Sequence, residues 1–323
     1  SIRRQRQMCI RDSLKALGVL RLVAEQADPK AAGCWLRDDF VLSSSLDADA
    51  LAAFFLEGYT PTPVLAPWNG GSGFFPKDNQ ASINLLQASD SPRFAIYRET
   101  LTLAQAALAR LQLTDKPDSD TKEKLLQLCR NTLPEAAIAW LDAAYVLSAD
   151  GAKYPPLLGT GGNDGRLEFT NNFMQRLAEV FDLAQGTPTP ASRAWLSQSL
   201  FASTIPVARS KAPIGQFFPA AAGGANATSG FNSDSAANPW DFIFMIEGAL
   251  VFAAAAVKRL ESIGDGRLAY PFCVRQAGIG YASASTADES ASRAEMWMPL
   301  WEKPAAYAEL SALFSEGRSQ VGS

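Results

Sequence analysis

The chain has 323 residues, 47% of them hydrophobic and 19% charged, with a formal net charge of −4 and no histidine. That length and apolar share can build one large domain or two ordinary ones, and the charge gives no global positive field, so a nucleic-acid site would need a local basic stripe. Without histidine there is no Ser-His-Asp or Cys-His pair, no His-ligated metal and no imidazole general base.

Residues Ser1 to Asp12 carry Arg3, Arg4, Arg6 and Arg11 against Asp12, a net of +3, which leaves −7 for the remainder. This segment, 1–12, reads as a non-native scar and is set aside; the fold signal is expected from Ser13. Ser13–Ala27 has helical apolar spacing and stops at Asp28-Pro29. Trp35–Leu42 reads as one short strand. Asp47–Gly58 reads as a helix, and Thr60-Pro61-Thr62-Pro63 then keeps the chain extended. Helices are expected over Pro92–Leu113, Ser119–Arg130 and Leu133–Leu147, the last with a proline at its start. Thr170 reads as the cap of a helix whose Phe173, Leu177, Val180 and Phe181 share one face. Gly186–Pro190 is a polar break, giving candidate regions 13–186 and 187–323 or one continuous domain. Pro190–Phe201 is expected to be helical, Ile205–Ala208 a strand, and Pro213–Asn238 irregular. Asn238-Pro239 opens a helix expected to run to Ile263. Its apolar run, Phe242–Val257, is short and interrupted by Glu247, so it reads as a buried helix, not a membrane span. Leu268–Val274 is a strand candidate and Ala305–Gly317 a last helix. The expected class is α+β, predominantly helical, with a few short strands and three long Gly/Asn-rich loops.

Those loops are Pro67–Asn79, Leu158–Arg166 and Ala222–Asn232. Glycine permits close backbone approach and asparagine supplies both a donor and an acceptor, so such loops suit holding something. The first offers Trp68 for stacking, Asn69, Lys77 and Asn79 for base edges or phosphates, and Gly70 and Gly71 for backbone approach. The same aromatics could equally anchor the loop to the core. The second runs toward a helix N-terminus, where backbone N–H groups favour an anion; Asn163 and Arg166 lie in it, and Asn171 and Arg176 on the helix. Its glycines match neither GxGxxG nor GxxxxGK[ST], and an ordered turn between helices reads it equally well. The third loop carries Asn226 but no cation. Cys9, Cys34, Cys129 and Cys273 form no CxxC pair and read as reduced thiols of a cytoplasmic protein. Asp38/Asp39 and Asp288/Glu289 read as solvated pairs, and no cofactor or metal is expected.

Several segments together resemble one family. They are the helix Ser13–Asp28, Pro67–Phe74, Pro155–Arg166, Phe169–Arg176, Gly223–Phe231 and Asn238–Asp241, in that order. The resemblance is to the large-subunit family of subtype I-G (formerly I-U) CRISPR effector modules, the Csx family numbered seventeen. It spans about Leu14 to Gly322 and implies an N-terminal fragment of such a subunit, with the family's C-terminal part absent. It also implies a non-catalytic role beside a guide RNA and other effector subunits. There the chain would read a short flanking motif on target double-stranded DNA and recruit the helicase-nuclease, while guide pairing supplies sequence specificity. The loop residues named above, Asn226 among them, would be the nucleic-acid contacts. A protein-binding assembly scaffold and a nucleotide-handling enzyme using 159–166 are the rival readings.

Overall fold

The structure, a computed structural model, describes residues 10–148, 151–164, 167–204, 210–213, 234–253, 255–257, 267–274, 295–296 and 298–316. Helix α1 is Ile10–Gln26, so its first turn starts three residues ahead of the sequence expectation. It is followed by a hairpin of β1 (Ala32–Leu36) and β2 (Asp39–Ser43), where one strand was expected. The turn is made at Arg37, which adopts φ 58° and reverses the chain so that Trp35 lies opposite Phe40. Helix α2 (Ala48–Ala53) is capped by Asp47 and runs into a π-turn, Phe54–Gly58. Helix α3 (Ala81–Gln87) follows the first loop and was not expected; it spans only seven residues.

Helices α4 (Ala95–Arg110), α5 (Ser119–Thr132) and α6 (Ile138–Ala144) come next. The last ends earlier than its spacing suggested, because Val146–Ser148 (β3) turns back onto Gly151–Lys153 (β4). Asn163–Asp164 (β5) pairs with Leu167–Glu168 (β6) and leads into α7 (Phe169–Val180). Phe181–Asp182 (β7) and Thr187–Pro188 (β8) form a small ladder before α8 (Ser192–Phe201). Ser210–Pro213 (β9) pairs with Asp234–Ala237 (β10). Asn238 caps α9 (Pro239–Ala249) as expected, its side chain accepting from the Trp240 N–H at 3.0 Å. That helix passes into a 3₁₀ turn, Leu250–Phe252, and does not continue to Ile263, since Ala255–Val257 (β11) pairs with Arg267–Ala269 (β12). Cys273–Val274 (β13) pairs with Glu295–Met296 (β14). Ala305–Ala306 (β15) joins the other edge of β1, and Tyr307–Glu316 is α10. The fold is thus α+β and predominantly helical, with short antiparallel ladders. The Ile205–Ala208 expectation lies outside the described residues.

The crossing of α1 on α9 organises the core. A Cβ on Gly18 would stand 2.0 Å from the Phe244 carbonyl oxygen, and one on Gly248 would stand 1.8 Å from the Leu14 carbonyl oxygen. The backbones touch there, so only glycine fits on either side. One turn further along, Arg21 Nη1 meets the Glu247 carboxylate at 2.6 Å, and Glu247 has no exposed surface. The Tyr59 hydroxyl donates to Glu247 at 2.7 Å, and the Thr62 N–H and hydroxyl donate to it at 3.0 and 2.7 Å. Burial alone would lower the Arg21 pKa, but Glu247, with Glu25 and Tyr307, more than offsets that and holds it above its ordinary value. Trp240, Phe244, Phe55, Tyr59 and Phe181 pack edge-on and stacked around the crossing. One cluster of buried residues runs from Leu14 to Phe314.

Removing one partner of a buried pair leaves an uncompensated charge. Glu247→Ala is expected to cost about 3–5 kcal/mol in denaturant unfolding. Glu247→Gln, which keeps an acceptor for Tyr59 and the Thr62 N–H, should cost clearly less; equal losses would show that the charge, which both variants remove, is what matters, and not the acceptors.

Candidate nucleic-acid interface

The first two glycine loops are one structure. The indole N–H of Trp68 donates to the Gly161 carbonyl at 2.8 Å, and the Asn69 amide donates to the Gly161 and Thr160 carbonyls at 3.1 and 3.3 Å. Gly162, at φ +109°, sits where a Cβ would press on Thr170, Trp140 and Ala66, so the second loop turns flush against the core. From α7, the Asn171 amide donates to the Gly71 and Asn79 carbonyls at 2.9 and 3.1 Å. Trp68, Asn69, Asn171 and Arg176 are buried, so these four of the expected contacts do not face a ligand. Trp68 packs edge-on against Tyr145 with centroids 5.2 Å apart, and Arg176 is ion-paired with Glu179 on its own helix at 2.9 Å. For Trp68, Asn69 and Asn171 the reason is the same: their polar atoms are needed to satisfy carbonyls that loop burial takes out of water.

Two internal carboxyl groups fill the places where an anion would bind. Asp78 accepts from the N–H groups of Gly71, Gly73 and Phe75 at 2.7, 3.0 and 3.2 Å, closing the concavity of the first loop. Glu168, not Thr170, caps α7: it accepts from the Thr170 N–H at 3.2 Å, the Thr170 hydroxyl at 2.6 Å and the Asn171 N–H. The helix N-terminus that the sequence offered to a phosphate is therefore occupied by the protein itself, and the nucleotide-enzyme reading loses its cradle. Burial pushes the Glu168 carboxyl up to about 8; the hydrogen bonds from Thr170 and Asn171 oppose this, and nearby Asp78 adds to it.

The surface left over is an edge around the first loop. Gly71 and Asn79 are exposed, and Gly70 is partly so. The Lys77 side chain is 84% exposed and meets Asp115 at 3.1 Å. Asn163 is half-buried; its carbonyl accepts from the Thr160 N–H at 2.7 Å, closing the turn of the second loop. Arg166 and Asn226, and with Asn226 the third loop, lie outside the described residues.

Two lysines that the sequence reading passed over complete this edge. The aliphatic chain of Lys116 lies against Gly70, where a Cβ would come within 3.6 Å of its Cδ. Lys122 Nζ donates to Asn69 Oδ1 at 3.2 Å and sits 4.7 Å from the centre of the Tyr154 ring. Neither has a carboxylate partner among the described residues. Burial first, and then the Lys116 charge, push the Lys122 ammonium down to about 8. The only signal for either in the sequence was proximity to helix α5, which binds nothing by itself.

Among the described residues, no cluster of His, Cys, Asp or Glu could hold a metal ion, and no helix is long and apolar enough to cross a membrane. Comparison with protein-family models finds no match, and comparison with curated proteins finds none either.

Glu168 gives the loop assembly a pH signature. The unfolded carboxyl loses its proton from about 4.5, whereas the folded one keeps it until about 8. The folded state therefore binds more protons within that window, and this group's stabilising contribution falls as pH rises through it. Thermal melts of wild type and Glu168→Gln across the window should show wild type losing Tm relative to the variant as pH increases. A Tm difference independent of pH would mean that Glu168 is ionised throughout.

Proposed function

We propose that this chain is the large subunit of a type I-G CRISPR RNA-guided surveillance complex, and that the edge carrying Lys77, Asn79, Lys116 and Lys122 lies against the nucleic-acid backbone. The observation that carries the placement is the Lys116–Lys122 pair. Two neighbouring cations are held without a carboxylate partner among the described residues, beside the surface glycines Gly70 and Gly71. Like charges kept together cost free energy, which a polyanion relieves through contact and counterion release. The ordered resemblance of the loop and helix motifs to the large-subunit family supplies the context. In that setting the guide reads sequence by pairing. This subunit is a non-catalytic reader of the target flank and of backbone shape, and a partner for the guide RNA, the other subunits, the target duplex and the helicase-nuclease.

On this reading Trp68, Asn69 and Asn171 act indirectly. They hold the loop rigid, so that Asn79 and the lysines meet the duplex already ordered. The glycines keep the surface low enough for a phosphate chain to approach.

Co-expression with the neighbouring effector subunits and a guide, with purification through a tag on this chain, should yield a ribonucleoprotein of fixed stoichiometry. Within that complex, Lys116→Ala and Lys122→Ala are each expected to weaken target binding roughly equally across sequences and to lower the salt slope by about 1. A clean monomer without RNA or partners would sink the subunit reading. An assembled complex whose salt dependence ignores both lysines would move the nucleic-acid face elsewhere.

A further inference from the structure

Away from the lysine edge, a groove of about 920 Å³ opens between α1, the hairpin, the start of α2 and the end of α8. Its walls are apolar, from Val19, Phe40, Leu42 and Leu51, and Phe201 stands at its rim 44% exposed. One wall is strand β2, the outer strand of its sheet, since β1 lies between it and β15.

The hydrogen-bond register shows which way that edge points. The Trp35 N–H donates to the Trp301 carbonyl at 2.8 Å, on the side of β1 away from β2. Trp35 faces Phe40 across the hairpin, so Phe40 belongs to a non-hydrogen-bonded pair, and so does Leu42, two residues on and opposite Gly33. The N–H and C=O of Phe40 and Leu42 therefore point outward, along the groove. None of them has a partner among the described residues. An unpaired strand edge beside an apolar trough is the geometry that accepts an added strand.

Charge selects the occupant. Asp12, Asp38, Asp39 and Asp47 line the groove, against a single cation, Lys15. That ammonium is held by Asp241 at 2.7 Å and by the Ser199 carbonyl, and Asp12 is paired with Arg11 at 2.7 Å, so the acid that the groove offers to a ligand is Asp39. Asp39 is exposed and has no ion pair among the described residues. A second copy of this chain pairing edge to edge would bring two acidic rims together, which disfavours self-association.

We propose that β2 and this groove dock an extended segment of a partner protein, by strand addition, in which apolar residues alternate with Lys or Arg. The apolar side chains enter between Phe40, Leu42 and Leu51, and the basic ones meet Asp39 and its neighbours. The inference does not depend on the nucleic-acid edge, because the residues involved are different.

The probe is a synthetic peptide alternating Val or Leu with Lys or Arg, added to the full chain. Backbone amide exchange followed residue by residue should show the Phe40 and Leu42 amides gaining at least tenfold protection at saturation. Asp39→Lys should weaken peptide binding at least tenfold at low salt, and Phe201→Ser, at an exposed rim position, should weaken it several-fold with the protein still folded. A peptide of the same composition with its apolar residues in one block should fail to protect the two amides. The proposal is overturned if the alternating peptide leaves these amides unprotected. It is also overturned if they become protected without peptide as protein concentration rises, which would assign the edge to a second copy.

Discussion

Everything in this fold is positioned by the backbone contact between α1 and α9. Gly18 and Gly248 bring the helices together until each sits against the other's carbonyls. That closeness puts Arg21 and Glu247 out of water and makes their pairing obligatory. Glu247 then reaches past α1 to Tyr59 and Thr62, which fixes the extended Thr60–Pro63 segment. Immediately beyond, the Tyr97 hydroxyl and the Trp140 indole bond the carbonyls of Val64 and Leu65, and the chain is delivered to the first glycine loop in a defined direction. The core crossing and the surface loop are linked by one stretch of backbone.

The loops follow the same logic. A glycine-rich segment packed against a core exposes many backbone groups to burial, and each must find a partner. Asp78 and Glu168 accept from loop and helix N–H groups, while Trp68, Asn69 and Asn171 donate to loop carbonyls. What looks in sequence like a set of ligand-binding groups is largely a set of groups bound to each other. The surface this leaves is small but ordered, and its free charge comes from lysines on the segments that flank the loop.

The acidic overall charge and the two chemically different faces are compatible. One edge gathers Lys77, Lys116 and Lys122 around glycine backbone; the groove by β2 gathers aspartates around an apolar floor and an unpaired strand edge. On the two proposals above, a chain with one basic edge and one acidic trough would offer distinct surfaces to a polyanion and to a basic protein segment, a division that net charge hides because it sums over both.

The sequence by itself determined the helical character of the chain. Apolar spacing in Ser13–Ala27 and in α7, the Asn238-Pro239 cap and the first two asparagine-glycine loops appear where local rules place them, because caps, turns and amphipathic faces depend on residues within one or two turns. It also marked Glu247 as an odd charge in an apolar run and so marked α9 as buried. The tertiary structure decided the rest. Gly18 and Gly248 are ordinary helix-weakening residues until 230 positions of separation are closed. The single strand expected at Trp35–Leu42 became a hairpin because Arg37 takes a left-handed conformation that the wider sheet supports. Above all, whether Trp68, Asn69 and Asn171 faced a ligand or the loop backbone depended on which carbonyls burial had stripped of water. That demand is set by contacts between residues about 90 to 100 positions apart, between the first loop, the second loop and α7, and it leaves no local trace in the order of the residues.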